Sequence, residues 1–479
     1  MAPSKKNKRK SGVLLHISSL PSADLGLEAY NFVDFLAATG AGIWQTLPIN
    51  MPHADNSPYQ CISAHAGNPV FISLRKLVDD DLISEADVAL GHHQALNLAY
   101  HHFLAKNELS QFNQFCDEHS NWLEDFSLYL VLRQTFNFSG WSTWKDPYKH
   151  RDQKALKEFK LEYANAIEQV KFHQYLFFKQ WCALKNYAHS KKISLFGDIP
   201  IFVAYDSAEV WANPQLFKLD ENKEMTVVAG VPPDYFSETG QRWGNPHYNW
   251  EEMAKDNYDW WVGRMRTQSQ LFDLVRIDHF RGLEAAWEIP ATEDTAMNGT
   301  WVLAPGDALL TRIYEQLPNI QLVAEDLGII TKEVDNLRLK YGMPGMKILQ
   351  FAFGGDEANP YLPQNIEENS VVYTGTHDND TTLGWYQKLE PHVKDDLHQY
   401  LETETPNMPF ALIQLAFSTL AKLAIVPMQD ILELNGDSRM NTPGTIVDNW
   451  SWKFEWEQLT EQQTKQFADV IKATGRSNA

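Results

Sequence analysis

The sequence predicts an α/β fold: a (β/α)8 TIM barrel with helical and loop insertions and no C-terminal β-domain. Three observations predict it. Eight short, apolar, β-branched runs are spread along the 479 residues. Helix-like segments such as LEAYNFVDFLAAT (27–39) and FALIQLAFSTLAK (410–422) lie between them. Most of the runs end in polar residues, Gly or Pro. Strands alternating with helices indicate a parallel sheet, and eight of them match a barrel whose C-terminal strand ends carry the site.

In chain order, the first two runs are SGVLLHI (11–17) and GIWQTLPI (42–49). Residues 50–192 then separate the second run from the third, too long a stretch for one βα connection. Most of it is helix-like, so a helical subdomain is expected at about 75–190. The third run is ISLFGDIPIFV (193–203). An insertion at about 204–265, rich in aromatics, Gly and Pro, reads as a loop system over the barrel mouth. LVRIDHF (274–280), IQLVAEDLG (320–328), MKILQFAF (346–353), SVVYTGTHDN (370–379) and LAIVPMQDILEL (423–434) complete the set. The competing reading is two or three separate domains. No Ser/Gly or Pro linker supports it, so residues 12–479 are expected to form one barrel domain.

Composition narrows the function classes. Hydrophobic residues make up 44% and charged residues 22%, ordinary for a soluble globular chain. No apolar run approaches the ~20 residues of a membrane helix. The basic start, MAPSKKNKRKSG, lacks the apolar segment of a secretory signal, and a disordered tail is expected over residues 1–11. The net charge of −21 would repel a polyphosphate, so nucleic acid is not an expected partner. Cys61, Cys116 and Cys182 are far apart and form no CxxC pair, which suggests free thiols in a reducing cytoplasm. Aromatics in polar, glycine-containing segments such as GQRWGNPHYNW (240–250) suit sugars, which have C–H faces and a hydroxyl rim.

The strand ends point to chemistry. Side chains alternate along a strand. Leu274, Arg276, Asp278 and Phe280 therefore share one face, and Val275 and Ile277 share the other. Arg276 and Asp278 are expected inside the barrel, near the end that carries the site. A purely structural Arg–Asp pair would satisfy the same pattern. The pattern recurs, however. Glu325 and Asp326 follow one apolar run, His377, Asp378 and Asp380 another, and Asp198 a third. Like charges gathered on one rim raise one another's pKa, and a structural core gains nothing by it. Glycoside cleavage uses this arrangement: a carboxylate nucleophile beside a protonated carboxylic acid.

These segments also carry a resemblance. RIDHFRG, AEDLG and GTHDND resemble the catalytic segments of the 4-α-glucanotransferases, also called amylomaltases or disproportionating enzymes, of the α-amylase clan. Supporting matches are SPYQCISAHAGNP (57–69), GDIPIFVAYDSAEVW (197–211), GVPPDYFSETGQRWGNPHYNW (230–250), GMPGMKILQFAF (342–353), RMNTPG (439–444) and NWSWKF (449–454). The likeness runs from about residue 12 to 455, and the order of the motifs makes it specific. It implies a retaining transferase acting on maltooligosaccharides and other α-1,4-glucans. Asp278 would be the nucleophile, Glu325 the acid/base, and Asp378 the group that holds sugar hydroxyls and the distorted ring. Arg276 would keep Asp278 ionised, His377 would hydrogen-bond the sugar, Tyr59 would stack on it, and Asp198 would support the rim. Trp243 and Gln241 would lie on the loop covering the acceptor side. The segment SSLPSADLGLEAY is shorter than the family's usual Gly-rich one. The rivals are an α-glucan hydrolase and a non-catalytic glucan-binding barrel.

No cofactor or metal is expected. His92, His93, His101 and His102 do not fall at the i, i+4 spacing of helical metal pairs. TGAGIW precedes a strand and lacks the third Gly of a dinucleotide site. No GxSxG or GxxxxGK[ST] occurs, nor an EF-hand-like loop. His279 alternates away from Asp278 and is expected to support the site from outside it.

Overall fold

The computed structural model describes residues 9–233 and 237–478. Eight parallel strands form one sheet: β1 (Lys10–Leu14), β2 (Ile43–Gln45), β3 (Ser194–Pro200), β4 (Leu274–Asp278), β5 (Leu322–Ala324), β6 (Gly345–Ile348), β7 (Ser370–Tyr373) and β8 (Leu423–Pro427). Their spatial order follows the chain, with β8 hydrogen-bonded to β1. The sheet ends at β5 and β6. There the Ala324 N–H donates to the Pro344 carbonyl at 2.9 Å, and Asp326 accepts the Met346 N–H at 2.7 Å. These two bonds bring the edges together into a TIM barrel. Each of the eight apolar runs contains one barrel strand, apart from the first residue of β1 and of β6, which precedes its run.

The barrel interior is filled by alternate side chains. Leu14, Ile43, Phe196, Val323, Met346, Ile348, Val371, Tyr373, Leu423 and Ile425 pack there, with Leu274 against them. Val275 and Ile277 belong to the other, outer core, where the helices pack. The helix Leu27–Thr39 shows how that layer forms. It buries Ala29, Phe32, Val33 and Leu36 and stops at Gly40, whose φ of 83° is left-handed.

Between β2 and β3 the chain is helical from Leu74 to Ser190. Its longest helix, Ala164–Ser190, holds the loop that follows β2. The Gln174 amide bonds both main-chain groups of Gly67, at 2.8 and 3.0 Å, and Gln180 does the same to Ser73, at 2.7 and 3.1 Å. Both amides are buried, so the loop carrying Tyr59 is anchored from beneath.

Two expectations change. Residues 1–8 of the expected tail lie outside the described residues, but Lys10 and Ser11 open β1, and Arg9 donates to the Thr419 and Thr474 carbonyls at 2.6 and 2.7 Å. The β-sheet pairing of residue 10 overrides its polar composition. Secondly, the aromatic insertion is not only loops. Val227–Val231 and Gln241–Pro246 join Ala285–Pro290 and Thr300–Leu303 in a four-stranded antiparallel sheet. Half of that sheet comes from the segment after β4, beyond the expected boundary at 265. The expected aromatic loop also includes residues 234–236, which lie outside the described residues.

Candidate active site

The site is built on an ion network at the C-terminal ends of β3 and β4. These strands are paired so that Asp198 sits opposite Arg276 and Pro200 opposite Asp278. Arg276 points inward and bridges two carboxylates, donating to Asp198 Oδ2 and Asp278 Oδ1, each at 2.6 Å. Its side chain is 5% exposed, that of Asp198 0% and that of Asp278 32%. Asp278 alone of the three therefore presents its carboxylate to the cleft. Burial opposes the charge on Arg276, but Asp198 and Asp278 outweigh it and hold the guanidinium well above its ordinary pKa. Burial likewise pushes the Asp198 carboxyl up despite Arg276.

Asp198 lies under the cleft floor rather than on its rim. With no exposed side-chain surface it acts on Arg276 and on Tyr59, whose hydroxyl donates to Asp198 Oδ2 at 2.9 Å. That hydroxyl is also 2.9 Å from His377 Nε2. Since the hydroxyl proton goes to the carboxylate, His377 Nε2 is the donor to the Tyr59 oxygen. The two rings are stacked, with centroids 5.2 Å apart, and Trp450 lies within 5.9 Å of Tyr59 and 6.0 Å of His377. Three aromatic rings thus form one wall.

Glu325 follows β5. Its carboxylate accepts two main-chain N–H groups, from His279 to Oε2 at 2.6 Å and from Leu327 to Oε1 at 2.9 Å. Burial, then the nearby Asp278 charge, push its pKa up to about 7, against Arg276 and the two N–H groups, which pull it down. The Tyr361 hydroxyl feels the same charge, its pKa raised to about 12 by burial, then by Asp326 and Glu325. The result is a carboxylic acid that holds its proton near neutrality beside a carboxylate paired with Arg276.

Asp378 follows β7 and is 46% exposed. Asn441 donates to its Oδ1 at 2.6 Å, and Arg439 donates to its main-chain carbonyl. His377 Nε2 lies 3.4 Å from its other oxygen. Asn441, Arg439 and Trp450 belong to segments noted in the sequence, RMNTPG and NWSWKF, but nothing in their order assigned them to Asp378 or to the aromatic wall. On the opposite side, Trp243 stands edge-on to the His279 ring, with centroids 4.8 Å apart, and its Nε1 donates to Gln241 at 3.1 Å.

The remaining acidic strand ends are structural. Asp326 joins β5 to β6 and pairs with Arg338 at 3.3 Å, and Asp380 pairs with Lys388 at 2.6 Å. Among the described residues, no group of three or more His, Cys, Asp or Glu is arranged to hold a metal ion. Cys61, Cys116 and Cys182 are free. No helix among the described residues is long and apolar enough to cross a membrane.

A family model described as 4-alpha-glucanotransferase matches residues 15–460. The chain belongs to this family. A 4-alpha-glucanotransferase of Thermus thermophilus is 44% identical over 98% of this chain and 99% of its own. The chloroplastic/amyloplastic 4-alpha-glucanotransferase of Solanum tuberosum is 41% identical, covering 98% of this chain and 87% of its own. Among solved structures, the amylomaltase from Streptococcus agalactiae in complex with acarbose has a TM-score of 0.94 and 36% identity, over 98% of this chain and all 100% of its own. The amylomaltase from Corynebacterium glutamicum, 18% identical with a TM-score of 0.76 over 98% of this chain and 75% of its own, shares the fold. In this 4-alpha-glucanotransferase family member Asp278 ends β4 and Glu325 follows β5, and these two strands of the barrel are paired.

Proposed function

We propose that the protein transfers α-1,4-glucan segments between maltooligosaccharides, in starch, glycogen or maltodextrin metabolism, by a retaining double displacement. Glu325 gives its proton to the glycosidic oxygen while Asp278 attacks the anomeric carbon and forms a glucosyl ester. The Glu325 carboxylate then takes a proton from an incoming sugar hydroxyl, which attacks the same carbon and frees Asp278. Asp378 holds sugar hydroxyls, oriented by Asn441. His377 hydrogen-bonds the sugar, Tyr59 stacks on it, and Arg276 and Asp198 hold Asp278 and Tyr59 in position. Gln241 and Trp243 line the acceptor side.

The observation that carries this reading is the contrast between two neighbouring carboxyl groups. Asp278 is bonded to a guanidinium at 2.6 Å, whereas Glu325 keeps its proton up to about pH 7. A carboxyl group raised by burial suits the acid, and its neighbour held on a guanidinium and open to the cleft suits the nucleophile. The same pair would serve hydrolysis. Transfer is favoured by the family, whose members carry the name 4-alpha-glucanotransferase; the acarbose complex of the similar amylomaltase supports a ligand of that kind in this cleft. The free thiols support a reducing cytoplasm as the working compartment.

Maltotriose alone is the test. Transfer yields glucose together with chains longer than the substrate, while formation of shorter sugars only would assign a hydrolase. Asp278→Asn should abolish both; a variant as active as the parent would end the mechanism.

A further inference from the structure

His279 sits in a conformation that costs free energy twice. Its φ is +53°, in the left-handed region that side chains other than Gly, Asn, Asp or His seldom adopt. Its Nε2 is buried with no hydrogen-bond partner. Burial lowers the ring pKa to about 4, so the imidazole is neutral in the working range. A phenyl ring would fill the space without an orphaned nitrogen, and an ordinary turn would avoid the backbone strain. Such costs persist where the surroundings over-determine a residue, commonly at a site.

Two contacts fix it. Its main-chain N–H donates to Glu325 Oε2 at 2.6 Å, while the next N–H, of Phe280, donates to the Glu325 carbonyl at 3.1 Å. The left-handed turn is what brings both donors onto one residue of the neighbouring strand. The His279 ring, in turn, seats Trp243 edge-on at 4.8 Å, and Trp243 is bonded to Gln241. Gly282 leaves room for that ring: a Cβ there would lie 3.2 Å from His279 Cδ2 and 2.8 Å from Ile201. His279 therefore touches the two halves of the reaction, the proton donor through its backbone and the acceptor-side strand through its ring.

We infer that His279 is a positioning residue that couples the acceptor-side strand carrying Gln241 and Trp243 to Glu325. This rests on Glu325 being the acid/base. When a sugar packs on Trp243, the ring contact steadies the turn that aims Glu325, so the second half-reaction is favoured only when an acceptor is bound.

The test is a set of variants in the full chain, assayed with maltotriose as donor and glucose as varied acceptor. His279→Asn tolerates the left-handed backbone and removes the ring. An aromatic pair of this kind corresponds to about 2- to 10-fold, so acceptor KM should rise by that factor while the basic limb of the pH profile stays where the parent has it. His279→Val cannot keep the left-handed turn; losing an N–H bond to the charged carboxylate should move that limb upwards. Circular dichroism checks that each variant is folded. Trp243→Ala combined with His279→Asn should lose no more than the worse single variant. If the two losses simply multiply, there is no coupling and the inference is wrong. An unmoved basic limb in folded His279→Val would remove the hold on Glu325. Parent-like cleavage by Glu325→Gln would instead remove the acid/base reading, and the His279–Trp243 cycle would then judge the ring contact alone.

Discussion

Replacing Glu325 by Gln should change stability by an amount that moves steadily in favour of Gln as pH rises from acid to alkaline. A carboxyl group whose pKa is raised from 4.5 to about 7 binds its proton more tightly folded than unfolded. Its favourable contribution is complete below the unfolded value of 4.5 and is lost as pH rises through about 7. At about 1.36 kcal/mol per unit, the penalty at pH 8 reaches about 3 kcal/mol. Glu325 retains some surface towards the cleft, so water screens part of it, and we expect about 2–3 kcal/mol. Gln carries no charge and escapes this penalty. It does, however, leave one of the two N–H groups from His279 and Leu327 without an acceptor, at about 1–3 kcal/mol independent of pH. The quantity to follow is therefore the slope. Urea denaturation of parent and Glu325→Gln, at several pH values between 4.5 and 8, should show the difference moving by about 2–3 kcal/mol in favour of Gln as pH rises. A difference that stays flat across that range would show that Glu325 is an ordinary, ionised carboxylate and would refute the assignment of the acid.

Three further outcomes follow from the same geometry. The kcat/KM for maltotriose should fall about tenfold per pH unit above about pH 7, as Glu325 loses the proton that the first step requires; a profile flat to pH 9 would contradict it. Arg276→Met should cost about 3–5 kcal/mol in denaturant unfolding, because it strands the buried Asp198 carboxylate, and should raise the basic limb since Arg276 holds the Glu325 pKa down. Asn441→Ala should lower kcat/KM about tenfold with little change in unfolding midpoint, because Asp378 is half-exposed and loses its orienting donor; a change below about twofold would show that Asp378 orients itself.

Much of this protein is determined locally, and that part is legible in the residues. Eight apolar runs became eight parallel strands, because a buried strand declares itself over a short apolar run of about 4–8 positions. The two-residue period put Arg276 and Asp278 on one face of β4, and both point inward as that period requires. The motifs RIDHFRG, AEDLG and GTHDND identified the family from short stretches of chain. What the residues in order could not give are the contacts between stretches far apart. Asp198 meets Arg276 because barrel closure aligns β3 with β4 in one particular register. Tyr59 meets His377 across 318 positions, and Asn441 meets Asp378 across 63. The small antiparallel sheet draws its strands from both sides of β4, so no single window of sequence contains it. Whether a carboxyl group is acid or nucleophile also waits on the fold. Asp278 and Glu325 are alike as residues, and it is burial and the neighbouring Asp278 charge on Glu325, against a guanidinium bonded to Asp278, that make them chemically different.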